Sequence, residues 1–113
     1  MLKINVKNQK SILPIKLDSV TLLTKVSLDE KAKQVMFYDK LLHKPNNKIY
    51  KFIVNLSKNP KKLKRVLINY LRKESLSQTY IQNLILKHNW KFIYIYDIEG
   101  KKFKIVMDKY KLK

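Results

Sequence analysis

Between Pro60 and Lys73, apolar residues fall at Leu63, Val66, Leu67, Tyr70 and Leu71, the i, i+3, i+4, i+7, i+8 spacing of one helical face. The spacing predicts a helix lying on a sheet, with Asn59 or Ser57 as its N-cap and Pro60 in its first position. From Trp90 to Ile98 the run WKFIYIYDI is the strongest strand pattern in the chain. Glu99-Gly100 supplies a hairpin turn, and Phe103, Ile105 and Met107 alternate along a final strand ending near Met107 or Asp108.

The remaining segments give weaker patterns. Residues up to Asn8 or Gln9 have no clear period and suit a loose strand or a basic tail. The run from Ile12 to Asp18 reads as a strand with Ile15 and Leu17 on one face, and Pro14 puts it near a sheet edge. Val26-Ser27-Leu28-Asp29-Glu30 resembles a capping box, with Ser27 and Glu30 satisfying each other's backbone amides. A helix would follow, with a stripe at Leu28, Ala32, Val35, Met36 and Leu42, stopped by Lys44-Pro45-Asn46-Asn47. Tyr50, Phe52, Val54 and Leu56 would share a face of a strand from Lys48 to Leu56. Leu76 to Lys87 reads as helix or strand, its β-branched residues and Tyr80 favouring strand, with Lys87-His88-Asn89 as a turn. Together these predict an α+β domain: a mostly antiparallel sheet of four to five strands with two helices on one face.

At 113 residues the chain is expected to form one domain, burying roughly two-thirds of its unfolded surface. Charge changes the picture most. Lys and Arg number 26 against 8 Asp and Glu, a formal +18, for which a polyanion is the natural partner. No Cys is present, which removes disulfides, zinc knuckles and thiol chemistry. A single Gly excludes Gly-rich phosphate loops. Apolar runs are broken by Lys too soon to span a membrane, and the first residues lack the apolar core of a secretory signal. The expectation is a soluble, cytoplasmic protein.

The segment 57–73 carries Lys58, Lys61, Lys62, Lys64, Arg65, Arg72 and Lys73 without one acid; Glu74 is the first. An ordinary solvated helix face interleaves Glu with Lys for i,i+4 pairs. Lys61 and Lys62 also occupy the first turn, where the helix dipole disfavours cations, and phosphate oxygens there would reverse that penalty. The cationic arc therefore points to nucleic-acid contact by this helix. About eight phosphate contacts would give a double-logarithmic salt slope of roughly −5 to −6 on a single strand. Trp90, Phe92, Tyr94 and Tyr96 could stack on bases, but strand alternation sends half of them to the core.

Catalytic constellations are thin. Asp97 and Glu99-Gly100-Lys101 faintly echo the acidic pair and Lys of metal-dependent nucleases, yet they lie at a turn, where polar residues occur for turn reasons alone. His43 and His88 have no Ser or Cys partner at recognisable spacing. No enzyme activity, cofactor, metal or small-molecule substrate is expected.

The order of predicted elements, strand, capped helix, strand, basic helix, strand, strand, resembles the eukaryotic-type ribosomal large-subunit protein L-twenty-two family. The resemblance is carried by Ile15-Lys16-Leu17-Asp18, the Ser27-Leu28-Asp29 helix start, the Lys48 to Leu56 strand, and Ser57-Lys58 followed by Tyr70-Leu71-Arg72-Lys73 and Leu76. Tyr80-Ile81 and Phe92 to Ile98 resemble the family's closing hairpin, which implies an extended 76–87 segment. The chain departs from the pattern in a missing Gly-rich loop and strand, in Ser19 where a Cys is common, and in a basic segment 99–113 replacing an acidic tail. The resemblance implies a structural protein of the large ribosomal subunit, bound to ribosomal RNA and neighbouring ribosomal proteins. Its expected RNA contacts are Lys58, Lys61, Lys62, Lys64, Arg65, Asn69, Arg72 and Lys73, with Lys16, Lys87, Lys101 and Lys102 outside the helix. Shape, phosphates and 2′-hydroxyls would dominate that recognition. The alternatives are a free-standing DNA- or RNA-binding regulator, such as a viral one, and a small metal-dependent nuclease.

Overall fold

The computed structural model describes residues 13–73, 76 and 78–112. The segment 1–10, read as a loose strand or basic tail, lies outside them, as does Glu74. Five strands form one mixed sheet in the order β1-β2-β3-β4-β5: Ile15–Lys16, Thr21–Asp29, Gln34–Leu41, Lys91–Ile98 and Lys101–Met107. All pairings are antiparallel except β3 with β4, which are parallel. A parallel pair needs a long crossover. Here it consists of α1 (Lys48–Ser57), α2 (Pro60–Lys73) and α3 (Thr79–His88), and a short α4 (Lys109–Leu112) follows β5. The fold is α+β and mostly antiparallel as expected, with four helices among the described residues rather than two.

Two predicted elements exchange their secondary structure. The segment read as a helix from Ser27 to His43 is a β-hairpin. Asp29 accepts the Ala32 amide at 3.0 Å in a local turn, and Lys33 closes it in the left-handed region at φ 55°. Val35, Phe37, Asp39 and Leu41 then alternate toward the helices, a period-two pattern that shares only Val35 with the residues assigned to a helical stripe. A bulge between Leu23 and Lys25 lets both Leu23 and Val26 bury on that same face despite their odd spacing.

The segment read as a strand from Lys48 to Leu56 is α1. Asn47, taken for part of a helix stop, is its N-cap: Oδ1 accepts the Ile49 and Tyr50 amides at 2.8 and 3.1 Å. Its buried residues, Tyr50 and Leu56, lie about two turns apart, while Phe52 is 57% exposed. Within the segment 76–87, the residues from Thr79 on form α3, not the extended segment that the family resemblance implies. Asn89, at φ 60°, caps α3 in the left-handed conformation that ends many helices.

Pro60 opens α2, and Asn59 rather than Ser57 caps it, accepting the Lys62 amide at 3.3 Å. Leu63 and Leu71 are buried and Val66 and Leu67 half-buried, but Tyr70 is 54% exposed. Ile68, which the helical wheel puts in the cationic arc, is half-buried and packs on the core. The buried stripe of α2 is thus centred on Leu63, Leu67 and Leu71. The β4–β5 hairpin turns at Glu99 and Gly100, both left-handed at φ 52° and 83°, the geometry a two-residue primed turn requires. β1 is short and at the sheet edge, where Pro14 places it, but Leu17 is exposed rather than sharing a buried face with Ile15.

Candidate functional site

The cationic face of α2 forms one side of an open groove. Lys61, Lys64, Arg65, Asn69 and Arg72 line it with Ile68 beneath, and Tyr110 and Lys111 of α4 form the other side. These α2 positions follow from helical periodicity, since residues three, four, seven and eight apart share a face. The groove's second wall comes from the end of the chain. The Arg72 guanidinium Nε donates to the Lys111 carbonyl, joining α2 to α4. Asp108 accepts the Tyr110 and Lys111 amides at 3.0 and 3.2 Å, which starts the short helix. Tyr110 is 73% exposed, and Lys109 Nζ stands 5.4 Å from the centre of the Tyr110 ring. No acid lines the groove among the described residues.

The structure brings together only part of the expected RNA-binding set. Lys58, Lys62 and Lys73 belong to α2 or its lead-in, are exposed, and do not line the groove. Lys16 is in β1, Lys87 in the last turn of α3, and Lys101 and Lys102 begin β5. Lys102 faces away from the helices, because Phe103, Ile105 and Met107 on alternate positions face inward. On that open side it accompanies Lys40 and Asp97 in one cross-strand row, beside a second row of Lys25, Tyr38, Ile95 and Lys104. The lysine of that second row sits 5.2 Å from the Tyr38 ring centre. Positive charge therefore covers two opposite surfaces. Tyr110 and Lys111 are groove residues that sequence reasoning missed, although the basic character of the tail was visible.

The four aromatic residues do not divide between the faces: Trp90, Phe92, Tyr94 and Tyr96 are two apart, so alternation puts them all on the side of the core, Trp90 and Tyr96 partly buried. Phe92 and Tyr94 are buried against the helices with Phe37, and the Phe37 and Tyr94 rings stack at 4.9 Å. The acids of the nuclease echo have local partners: Asp97 accepts the Gly100 amide at 3.0 Å, and Glu99 lies 3.2 Å from His43 Nδ1. That imidazole nitrogen is also 3.0 Å from the Tyr50 hydroxyl. Among the described residues no three His, Cys, Asp or Glu are grouped to hold a metal ion.

A second concavity lies between the sheet and the helices, with a volume of about 570 Å³. Phe37, Phe92, Tyr94 and Tyr96 contribute from the sheet, and Leu63, Val66, Leu67 and Tyr70 from α2. Asp39 lies on its sheet wall, only 5% exposed, and its Oδ1 has no hydrogen-bond partner among the described residues. Burial, and then the nearby Asp18 carboxylate, push Asp39 up to about 7. Burial also raises the Tyr94 and Tyr96 hydroxyls, with the Asp39 charge as a further cause. Sequence reasoning missed Asp39 because its segment was assigned to a helix; on a period-two strand it is the polar residue on an otherwise apolar face.

No family model matches the chain, and no curated protein sequence matches it. Its fold is similar to that of a solved structure, described as a putative secreted protein from Pseudomonas aeruginosa, with a TM-score of 0.67 over 100% of this chain and 90% of that one. The two sequences are 13% identical, so the likeness is one of fold.

Proposed function

We propose that the chain is a non-catalytic RNA-binding protein whose contact surface is the groove between α2 and α4. The observation that carries this reading is the convergence of Lys61, Lys64, Arg65, Arg72 and Lys111 with exposed Tyr110, and no acid among the described lining residues. Cations along a groove follow a phosphate backbone, and a tyrosine face offers a platform for a base. The formal charge of +18 adds a long-range attraction to any polyanion.

Large-subunit ribosomal RNA is the polyanion that the sequence resemblance implies, with neighbouring ribosomal proteins as further partners and the cytoplasm as location. The Ser57-Lys58 and Tyr70-Leu71-Arg72-Lys73 part of that resemblance falls on α2 and its lead-in. Its predicted helix from Ser27 and strand from Lys48 have exchanged structure, so the proposal rests on the groove and the charge.

Replacing Lys61, Lys64 and Arg65 by Glu tests the reading, since all three are exposed and the fold does not depend on their charge. Binding to a fluorescent RNA should be lost with the far-UV circular dichroism unchanged; survival of binding at wild-type affinity would sink the groove. Sucrose-gradient sedimentation then tests the partner. Co-sedimentation with large subunits supports the ribosomal assignment, and absence from intact subunits excludes it.

A further inference from the structure

The cleft between the sheet and the helices has three features that packing alone does not account for. Its volume of about 570 Å³ is that of a small-molecule site, whereas protein interiors leave few voids larger than a water. Its border exposes large apolar and aromatic side chains, Leu17, Ile49, Phe52, Tyr70 and Tyr80. Its wall holds Asp39, whose buried Oδ1 has no hydrogen-bond partner among the described residues, although buried polar groups are normally hydrogen-bonded.

Charge adds a fourth. The chain has 26 Lys and Arg and 8 acids, yet among the described residues no Lys or Arg lines this cleft, while Asp18 and Asp39 do. Asp18 Oδ1 accepts the Val20 backbone amide at 2.8 Å. Asp39 Oδ1 has no such partner, and Phe37, Tyr94 and Tyr96 line the same cleft. A buried carboxylate in an apolar setting is matched by a donor that brings its own positive charge. The exposed rings at the border are compatible with a cation's passage, since their faces attract it.

We propose that this cleft is a binding site for a small hydrophobic molecule carrying one protonated amine, with the ammonium paired to Asp39 and the apolar body between α2 and the sheet. The site is separate from the RNA groove, which lies on the α4 side of α2.

Ionised Asp39 is the form that pairs with an ammonium. Because its carboxyl is pushed up to about 7, binding to the free protein at lower pH must first release that proton. The other ionisable side chains of the cleft are Asp18 and the hydroxyls of Tyr70, Tyr80, Tyr94 and Tyr96, with Asp97 on the opposite face of β4. An alkylamine stays charged throughout this range, so affinity should be about thirty-fold weaker at pH 5.5 than at pH 8.

Isothermal titration with decylamine, 1-decanol and decanoate, below their micellar concentrations and in physiological salt, tests the site. Decylamine should bind the wild-type chain at least tenfold more tightly than decanol. The high positive charge of the protein disfavours adventitious amine binding and favours adventitious decanoate binding, so this order is informative. Asp39→Asn, which keeps the side-chain volume, should weaken decylamine at least tenfold and leave decanol nearly unchanged. Phe52→Lys, at an exposed border position, should also weaken decylamine while preserving the circular dichroism. Equal binding of decylamine and decanol, an Asp39→Asn variant with unaltered amine affinity, or no decylamine binding to the wild type would each overturn the proposal. Self-association that disappears in Phe52→Lys, without amine binding, would overturn it in favour of a second copy of the chain.

Discussion

Asp39 and Tyr96 are register partners on the parallel strands β3 and β4, both on the face that looks toward the helices. Burial favours the neutral form of both; the Asp39 charge further raises the Tyr96 hydroxyl, while Asp39 itself is raised by burial and then by the Asp18 carboxylate. The centre of the sheet thus holds a carboxyl group that the fold keeps protonated well above its ordinary range.

This gives a signed pH dependence of stability. The unfolded chain releases the Asp39 proton near 3.8, the folded chain only near 7. Between these values the folded state binds more protons, so the Asp39 contribution to stability falls as pH rises from about 4 to about 7 and stays low above. Wild type and Asp39→Asn should melt close together at pH 4, with the variant favoured by up to about 4 kcal/mol at pH 8. Thermal or urea denaturation across that range checks this, and a pH-independent difference would contradict it.

Tyr110 is expected to contribute to RNA affinity without supporting the fold. Tyr110→Ala should weaken a single-stranded oligonucleotide by about 1–3 kcal/mol, the usual worth of base stacking on an aromatic side chain. Fluorescence anisotropy measures this, with an unchanged melting temperature as the control.

If Lys61, Lys64, Arg65, Arg72 and Lys111 each meet one phosphate, the double-logarithmic salt slope for single-stranded RNA is about −3.5. Each cation neutralised should reduce its magnitude by about 0.7. A titration of Lys64→Gln from low to moderate salt reads that change directly.

Three α2 substitutions distinguish its buried stripe from a symmetric wheel. Leu63→Ala removes a fully buried side chain and should cost about 2–5 kcal/mol. Ile68→Asp should also destabilise, by more than about 1 kcal/mol, because Ile68 packs on the core, whereas Tyr70→Asp at an exposed position should cost less. Chemical denaturation ranks the three.

The N-cap of α1 is a fourth structural test. Asn47→Ala removes the acceptor of two backbone amides and should cost about 1 kcal/mol, whereas a strand beginning at Lys48 would not lose such a cap.

The sequence by itself determined the elements whose local signals agree with one another. In α2 the Asn59-Pro60 start and the apolar stripe point to one answer, as do the aromatic run of β4 and the left-handed turn at Glu99-Gly100. The excess of positive charge and the cations of α2 were likewise legible without coordinates. Residues 27–57 were decided by the tertiary structure. Val35, Met36 and Leu42 fit a helical stripe about as well as Val35, Phe37 and Leu41 fit a strand, so local pattern leaves the segment undetermined. Pairing with β2 on one side and the aromatic strand β4 on the other selects the extended form, because only there does that apolar face find a partner sheet. With β3 extended and parallel to β4, the chain between them must cross over, and α1, α2 and α3 do so. The same arrangement places Asp39 against Tyr96 and Tyr110 beside Arg65, contacts between residues too distant in sequence for any local pattern to specify.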